Sequence, residues 1–253
     1  MRSRWLRGFA LAAAGLAIAI WLAPALLLRP VCTRLLASSG ISIELDGVRP
    51  AWPWGAAVER ARVVRGASAL EFAALRARLF PSGLRAEAQV GAGSLLLSTR
   101  GIRLRGGVLR AQSFPLDRLV DLAPSFGLRG TADGVYRFGD REALELTLSR
   151  GALRLRAPVA FELAFAQLVV AAVRERDGGW RVELADISGP PLSARATGRI
   201  GPEGGLAFDV EVTRLEEPAR EAFAMAGLPT GPTPFRARIG GTLEAPIFSP
   251  LAR

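Results

Sequence analysis

The stretch "WRVELADISGPPLSARATGRIGPEGGLAFDVEV", residues 180–212, decides the fold. Trp180, Val182 and Leu184 alternate with Arg181 and Glu183. Ala194, Ala196 and Ile200 then oppose Arg195, Thr197 and Arg199, and Phe208, Val210 and Val212 oppose Asp209 and Glu211. A period of two sends successive side chains to opposite faces, so each segment predicts a strand with one apolar and one wet face. The connector "GPEGG" (201–205) is turn chemistry and leaves no room for a crossover helix, so neighbouring strands are expected to run antiparallel.

The pattern extends in both directions. Ile41, Ile43 and Leu45 oppose Ser42 and Glu44; Leu75, Ala77 and Leu79 oppose Arg76 and Arg78; Leu84, Ala86, Ala88 and Val90 oppose Arg85, Glu87 and Gln89. Ile102 and Leu104 oppose Arg103 and Arg105, Leu144, Leu146 and Leu148 oppose Glu145 and Thr147, and Leu153 and Leu155 oppose Arg154 and Arg156. Phe235, Ala237 and Ile239 oppose Arg236 and Arg238 near the end. The expected class is mainly β: a curved, groove-like antiparallel sheet. Leu104, Leu146 and Val210 are the candidate lining of its apolar face.

Residues 159–173, "VAFELAFAQLVVAAV", are apolar on both faces apart from Glu162 and Gln167, and read either as strand buried on both sides or as one core helix. A buried Glu162 paired with an arginine is the expectation there. Two segments carry helical spacing. In "FPLDRLVDLAP" (114–124) Leu116, Leu119, Val120 and Ala123 share a face between Pro115 and Pro124; in "EPAREAFAMAG" (217–227) Ala219, Ala222, Phe223 and Ala226 do so between Pro218 and Gly227. Both are short enough to plug an end of the apolar face. Each is followed by a strand and then Gly-Thr-x-acid: Gly130, Thr131 and Asp133, then Gly241, Thr242 and Glu244. This suggests two similar units, about 41–138 and 139–253, with the Gly-Thr pairs bending the sheet.

The chain holds 33 basic residues, all arginine, and neither lysine nor asparagine, as a GC-rich coding sequence dictates; the net charge of +10 is thus weak evidence of purpose. The arginines stand singly at alternate positions, as in "IRLR" and "FRARI", which marks solvated strand faces rather than a nucleic-acid surface. Cys32 is the single cysteine, which precludes an intrachain disulfide.

Residues 8–28, "GFALAAAGLAIAIWLAPALLL", hold no charged or amide side chain. At a rise of about 1.5 Å per residue they are long enough to cross a hydrocarbon core of about 30 Å. They predict an uncleaved transmembrane helix, a cleaved signal peptide being the alternative. Arg2, Arg4 and Arg7 precede it, which places residues 1–7 in the cytoplasm, 29–40 as a juxtamembrane linker and 41–253 as a periplasmic domain.

Chemistry has few candidates. Without histidine there is no histidine triad or histidine metal site, and Asp117 with Asp121, or Glu216, Glu217 and Glu221, read as helix-terminal charge. "GAGSLLLSTRG" (91–101) lacks the helix and lysine of a phosphate loop. The expectation is no enzyme, no cofactor and no metal. The contact candidate is "AWPWG" (51–55): Trp52, Pro53 and Trp54 face a partner or a membrane, or else plug the core.

Together the amino-terminal span, the first strand pair "ISIELDGVRPAWPWGAAVERARVV", the "FAALRARLFPSGLRAEAQV" strand, the "FPLDRL" helix, the run "FAQLVVAAVRERDGGWRVELADISGPPLSARATGRI" and the closing "GTLEAPIF" resemble the type II secretion system protein N (GspN) family, within the wider AsmA-like group. The resemblance implies a single-pass inner-membrane protein of a Gram-negative bacterium. Its periplasmic domain would be an accessory or assembly factor of type II secretion, partnered by other secretion subunits. The AsmA-like group implies the alternative, binding or moving lipid along an apolar β groove.

Overall fold

The computed structural model describes residues 41–52, 54–65, 68–101, 106–119, 126–155, 161–225, 228–242 and 246–251. The expected span at 8–28, its flanking segments, and Cys32 lie outside these residues. Among the described residues no helix is long and apolar enough to cross a membrane. Contacts divide the chain into two compact units, Met1–Gly107 and Val108–Arg253. That division is by contact, whereas the one near residue 138 follows the repeated Gly-Thr-x-acid.

In the first unit β1 (Ile41–Asp46), β3 (Gly55–Arg65), β4 (Ser68–Phe80), β5 (Gly83–Val90) and β6 (Gly93–Thr99) pair in that order, and the short β2 (Arg49–Ala51) also pairs with β3. The second unit is a meander. It runs through β7 (Gly107–Pro115), β8 (Phe126–Phe138), β9 (Ala143–Leu155), β10 (Phe161–Arg174), β11 (Trp180–Ser188), β12 (Leu192–Ile200), β13 (Leu206–Leu215), β14 (Phe235–Gly241) and β15 (Pro246–Pro250), each beside the next. Every described ladder is antiparallel, as the short Gly-rich connectors require.

Among the described residues one short α-helix is present, α1 (Ala219–Met225), where two helices were expected. Of the other, the described residues hold a 3-10 turn, Leu116–Leu119; residues 120–124 lie outside them. The helix α1 is fixed by its ends. The Glu217 carboxylate accepts from the Glu221 N–H (3.1 Å), and the Arg220 guanidinium donates to the carbonyls of Leu215 (2.7 Å) and Thr230 (2.8 Å). Ala219 is buried against Leu163, Leu192, Val212 and Leu215, with Phe223 packed on the same cluster, so α1 closes one end of the apolar face.

Two strands differ from the sequence expectation for one reason. Leu144–Leu148 and Leu153–Leu155 belong to a single 13-residue strand, β9, because "SRG" (149–151) is a bulge and not a turn. Arg150 has φ 49°, and the β8–β9 register shifts between Arg129 and Thr131. Beside it β10 exposes Ala166 and Gln167 in succession, so its alternation changes phase. Leu163 and Phe165 are buried before the change, and Leu168, Val170 and Ala172 carry the apolar face after it. The segment is a strand and not a helix, and Leu168–Val173 are apolar on both sides and buried or half-buried throughout. Glu162 is exposed and lies 3.9 Å from Arg129, which corrects the expectation of a buried pair. The first unit repeats the device: Ala74 of β4 has φ 50°, the β4–β5 register shifts between Ala73 and Arg76, and β3 exposes Glu59 and Arg60 in succession.

Candidate functional site

Residues directly opposite each other in a ladder project from the same side of the sheet, so the registers trace the apolar face of the second unit strand by strand. From β8 to β15 one row runs Gly134, Leu146, Val170, Ala185, Ala196, Val210, Ala237 and Pro250. Two of the candidate lining residues, Leu146 and Val210, thus stand four strands apart in one row; Leu104 lies outside the described residues. Toward α1 the next row runs Ala132, Leu148, Leu168, Ile187, Ala194, Val212 and Phe235. Away from α1 a third runs Tyr136, Leu144, Ala172, Val182, Gly198, Phe208, Ile239 and Phe248. No charged side chain interrupts the three rows.

Ala132, Leu148 and Val212 are buried in the second row, Ala172 and Val182 in the third and Ala237 in the first, but Leu146, Val170, Ala196, Val210, Phe208 and Ile239 stay half-exposed. The described residues supply no second layer that seals the face. The opposite side carries the charges. Asp186, Arg195, Glu211 and Arg236 are successive cross-strand neighbours with contacts of 3.8 Å (Arg195–Asp186) and 3.6 Å (Arg236–Glu211), and Arg238 reaches Asp209 at 3.0 Å. Such exposed pairs add little stability individually; they keep that face wet.

At the far end of the apolar face sits a cluster the strand pattern did not single out. The Tyr136 hydroxyl donates to Glu142 (3.0 Å), as does the Arg174 guanidinium (2.8 Å), while Arg174 lies 6.0 Å over the Trp180 ring and Tyr136 packs on Trp180 and Phe138. The Arg174 hydrogen bond, with that of Tyr136, holds the Glu142 carboxyl below the usual glutamate range against the opposing effect of burial. Burial, and then the bond to Glu142, pushes the Tyr136 hydroxyl up. The chain's single tyrosine was the available signal, but its partners come from two different turns and no spacing links them.

The remaining candidates are dispersed. Trp52 and Trp54 occupy the hairpin loop that the Ala51–Gly55 pair closes, and they are 76% and 50% exposed, so neither plugs the core; Pro53 lies outside the described residues. Gly130 falls in the β8 register shift with φ 122°, and a Cβ there would lie 2.9 Å from the Gly151 Cα, so two backbones approach at this point. Thr131 follows it, and Asp133 accepts from the Ser113 N–H (2.8 Å), whose residue has φ 48°. Gly241 instead ends β14 opposite Pro246, and Thr242 bridges to Gly205. The first Gly-Thr pair is thus inside a bulge and the second at a strand end; Glu244 lies outside the described residues. Gly91 sits in the tight turn that the Val90–Gly93 pair closes. Glu216, Glu217 and Glu221 rim an open pocket of about 770 Å³ beside α1, with Leu163 and Phe165 among its lining. Among the described residues no group of three or more cysteines or carboxylates could hold a metal ion. Comparison with protein-family models, with curated proteins and with solved structures found no match to this chain.

Proposed function

We propose that this protein is a non-enzymatic lipid-binding component of the inner membrane. Residues 8–28 anchor it, the β-rich body lies in the periplasm, and phospholipid acyl chains lie along the apolar face of the second unit. The observation that carries this reading is the continuity of the apolar rows from β8 to β15, free of charged side chains, while the cross-strand ion pairs lie on the opposite side. Acyl chains are uniform along their length and need a continuous apolar strip rather than a few placed polar groups. Native mass spectrometry of the full chain released from mild detergent tests it. Phospholipid masses retained by the parent and lost from a Leu146→Arg, Val210→Arg double variant are expected; a parent that carries no lipid overturns the reading.

A second reading, an accessory or assembly factor of type II secretion, rests on the layout shared with the GspN family. Under it the same face would receive other secretion subunits. A deletion strain that exports the pathway's substrates normally would argue against it.

A further inference from the structure

The first unit carries a feature that the apolar face of the second does not explain. Trp52 and Trp54 project from a three-residue loop between β2 and β3, and Trp54 has φ 45°. This left-handed position is the natural place for Gly or Asn in such a loop, and a bulky side chain there is strained. Trp54 recovers little of that strain through packing, since half of it is exposed. The Trp54 carbonyl accepts from the N–H of Leu79, itself 39% exposed, so a third apolar side chain is fixed beside the loop.

Directly behind the loop stands an unusual charge arrangement. Elsewhere in this unit the cross-strand arginines face acids or neutral residues: Arg62 faces Glu44 and Glu71, Arg60 faces Asp46, and Arg76 faces Glu87. Arg78 faces Arg85. Like charges directly opposite are destabilising, and neither arginine makes an ion pair or side-chain hydrogen bond among the described residues. Gly55, next to Trp54, pairs with Arg78, whose Cγ would lie 3.1 Å from a Cβ placed on Gly55, so the arginine stem runs along the base of the loop.

Two exposed indoles on a strained tip and two unneutralised arginines behind them match the layering of an anionic bilayer surface. Indoles settle at the level of the headgroups, and arginines bind the phosphates. We propose that the Trp52–Trp54 loop, with Leu79, Arg78 and Arg85, is a contact site for anionic phospholipid headgroups. It holds the first unit against the membrane surface, independently of what the second unit binds.

The test uses the full chain reconstituted with brominated phosphatidylcholine, alone or mixed with phosphatidylglycerol. Tryptophan quenching is compared with that of a Trp52→Phe, Trp54→Phe variant, a change confined to exposed side chains. The parent is expected to show additional quenching that grows with phosphatidylglycerol. Arg78→Glu and Arg85→Glu are each expected to weaken that dependence by about fivefold. Trp54→Gly supplies the second readout: it removes the strained side chain, so the variant unfolds at the same temperature as the parent or higher while the quenching falls. Equal quenching in parent and variant, no response to phosphatidylglycerol, or a crosslinker at position 52 that captures only protein in cells would each overturn the proposal.

Discussion

Single residues carry the bends and close approaches of this fold, and glycine faces phenylalanine at two of them. Phe165 lies directly across from Gly151, and a Cβ on Gly151 would sit 2.4 Å from the Phe165 ring; Phe208 faces Gly198, where a Cβ would sit 2.2 Å from the Ala207 carbonyl oxygen. An aromatic ring laid over a cross-strand glycine restores the apolar cover that the glycine lacks. At Gly198 the nearest obstacle is backbone and cannot swing aside. Gly198→Ala is therefore expected to destabilise the protein by about 1–3 kcal/mol in urea titration. Glu142 supplies a pH-dependent counterpart. Its carboxyl is lowered in the folded chain, so the stabilisation is present above the unfolded carboxyl's ordinary range and is lost as pH falls through the lowered folded value. Stability measured against pH should decline on that acid limb in the parent and decline less in Glu142→Gln.

Strands were legible in the sequence because their alternation is local. Leu144–Leu148 and Phe208–Val212 lie in β9 and β13 as their period of two predicts, whereas in β11 a register shift after Val182 sends Leu184 to the opposite side from Val182. The phase of that alternation was not legible where a bulge resets it. Arg150 and Ala74 are ordinary residues in left-handed positions, and nothing in "SRG" or "AAL" announces a bulge rather than a turn or an uninterrupted strand. The candidate face was legible as composition, but its continuity was not, since Leu146 and Val210 share a row only through four successive ladder registers. The last strand shows a further element-scale device. Among the described residues β15 pairs with β14 alone, and the Leu251 N–H donates to Arg236 (3.1 Å). By alternation Ile247 and Ser249 also turn toward β14, leaving positions 246, 248 and 250 facing outward. Two of those three are proline, so the open edge retains the Phe248 N–H as its one donor beside exposed apolar side chains. Prolines placed this way block edge-to-edge pairing. Pro246→Val with Pro250→Val is expected to turn the parent's sedimentation profile into one with concentration-dependent association; an unchanged profile would show that the edge is guarded otherwise.

For the molecule as a whole the account rests on a division of labour between the two sides of one antiparallel meander. Charges on one side pair across strands, and on the other each strand from β9 to β14 keeps apolar side chains half-exposed beside buried ones. Soluble proteins do not ordinarily leave so continuous an apolar strip uncovered, which makes its occupant the decisive question. The most direct measurement is photocrosslinking in living cells from probes at positions 146 and 210, with positions 197 and 209 on the charged side as controls. The account predicts adducts of phospholipid mass at 146 and 210 and none at 197 and 209. Adducts of protein alone at 146 and 210, or lipid captured equally from both sides, would contradict it.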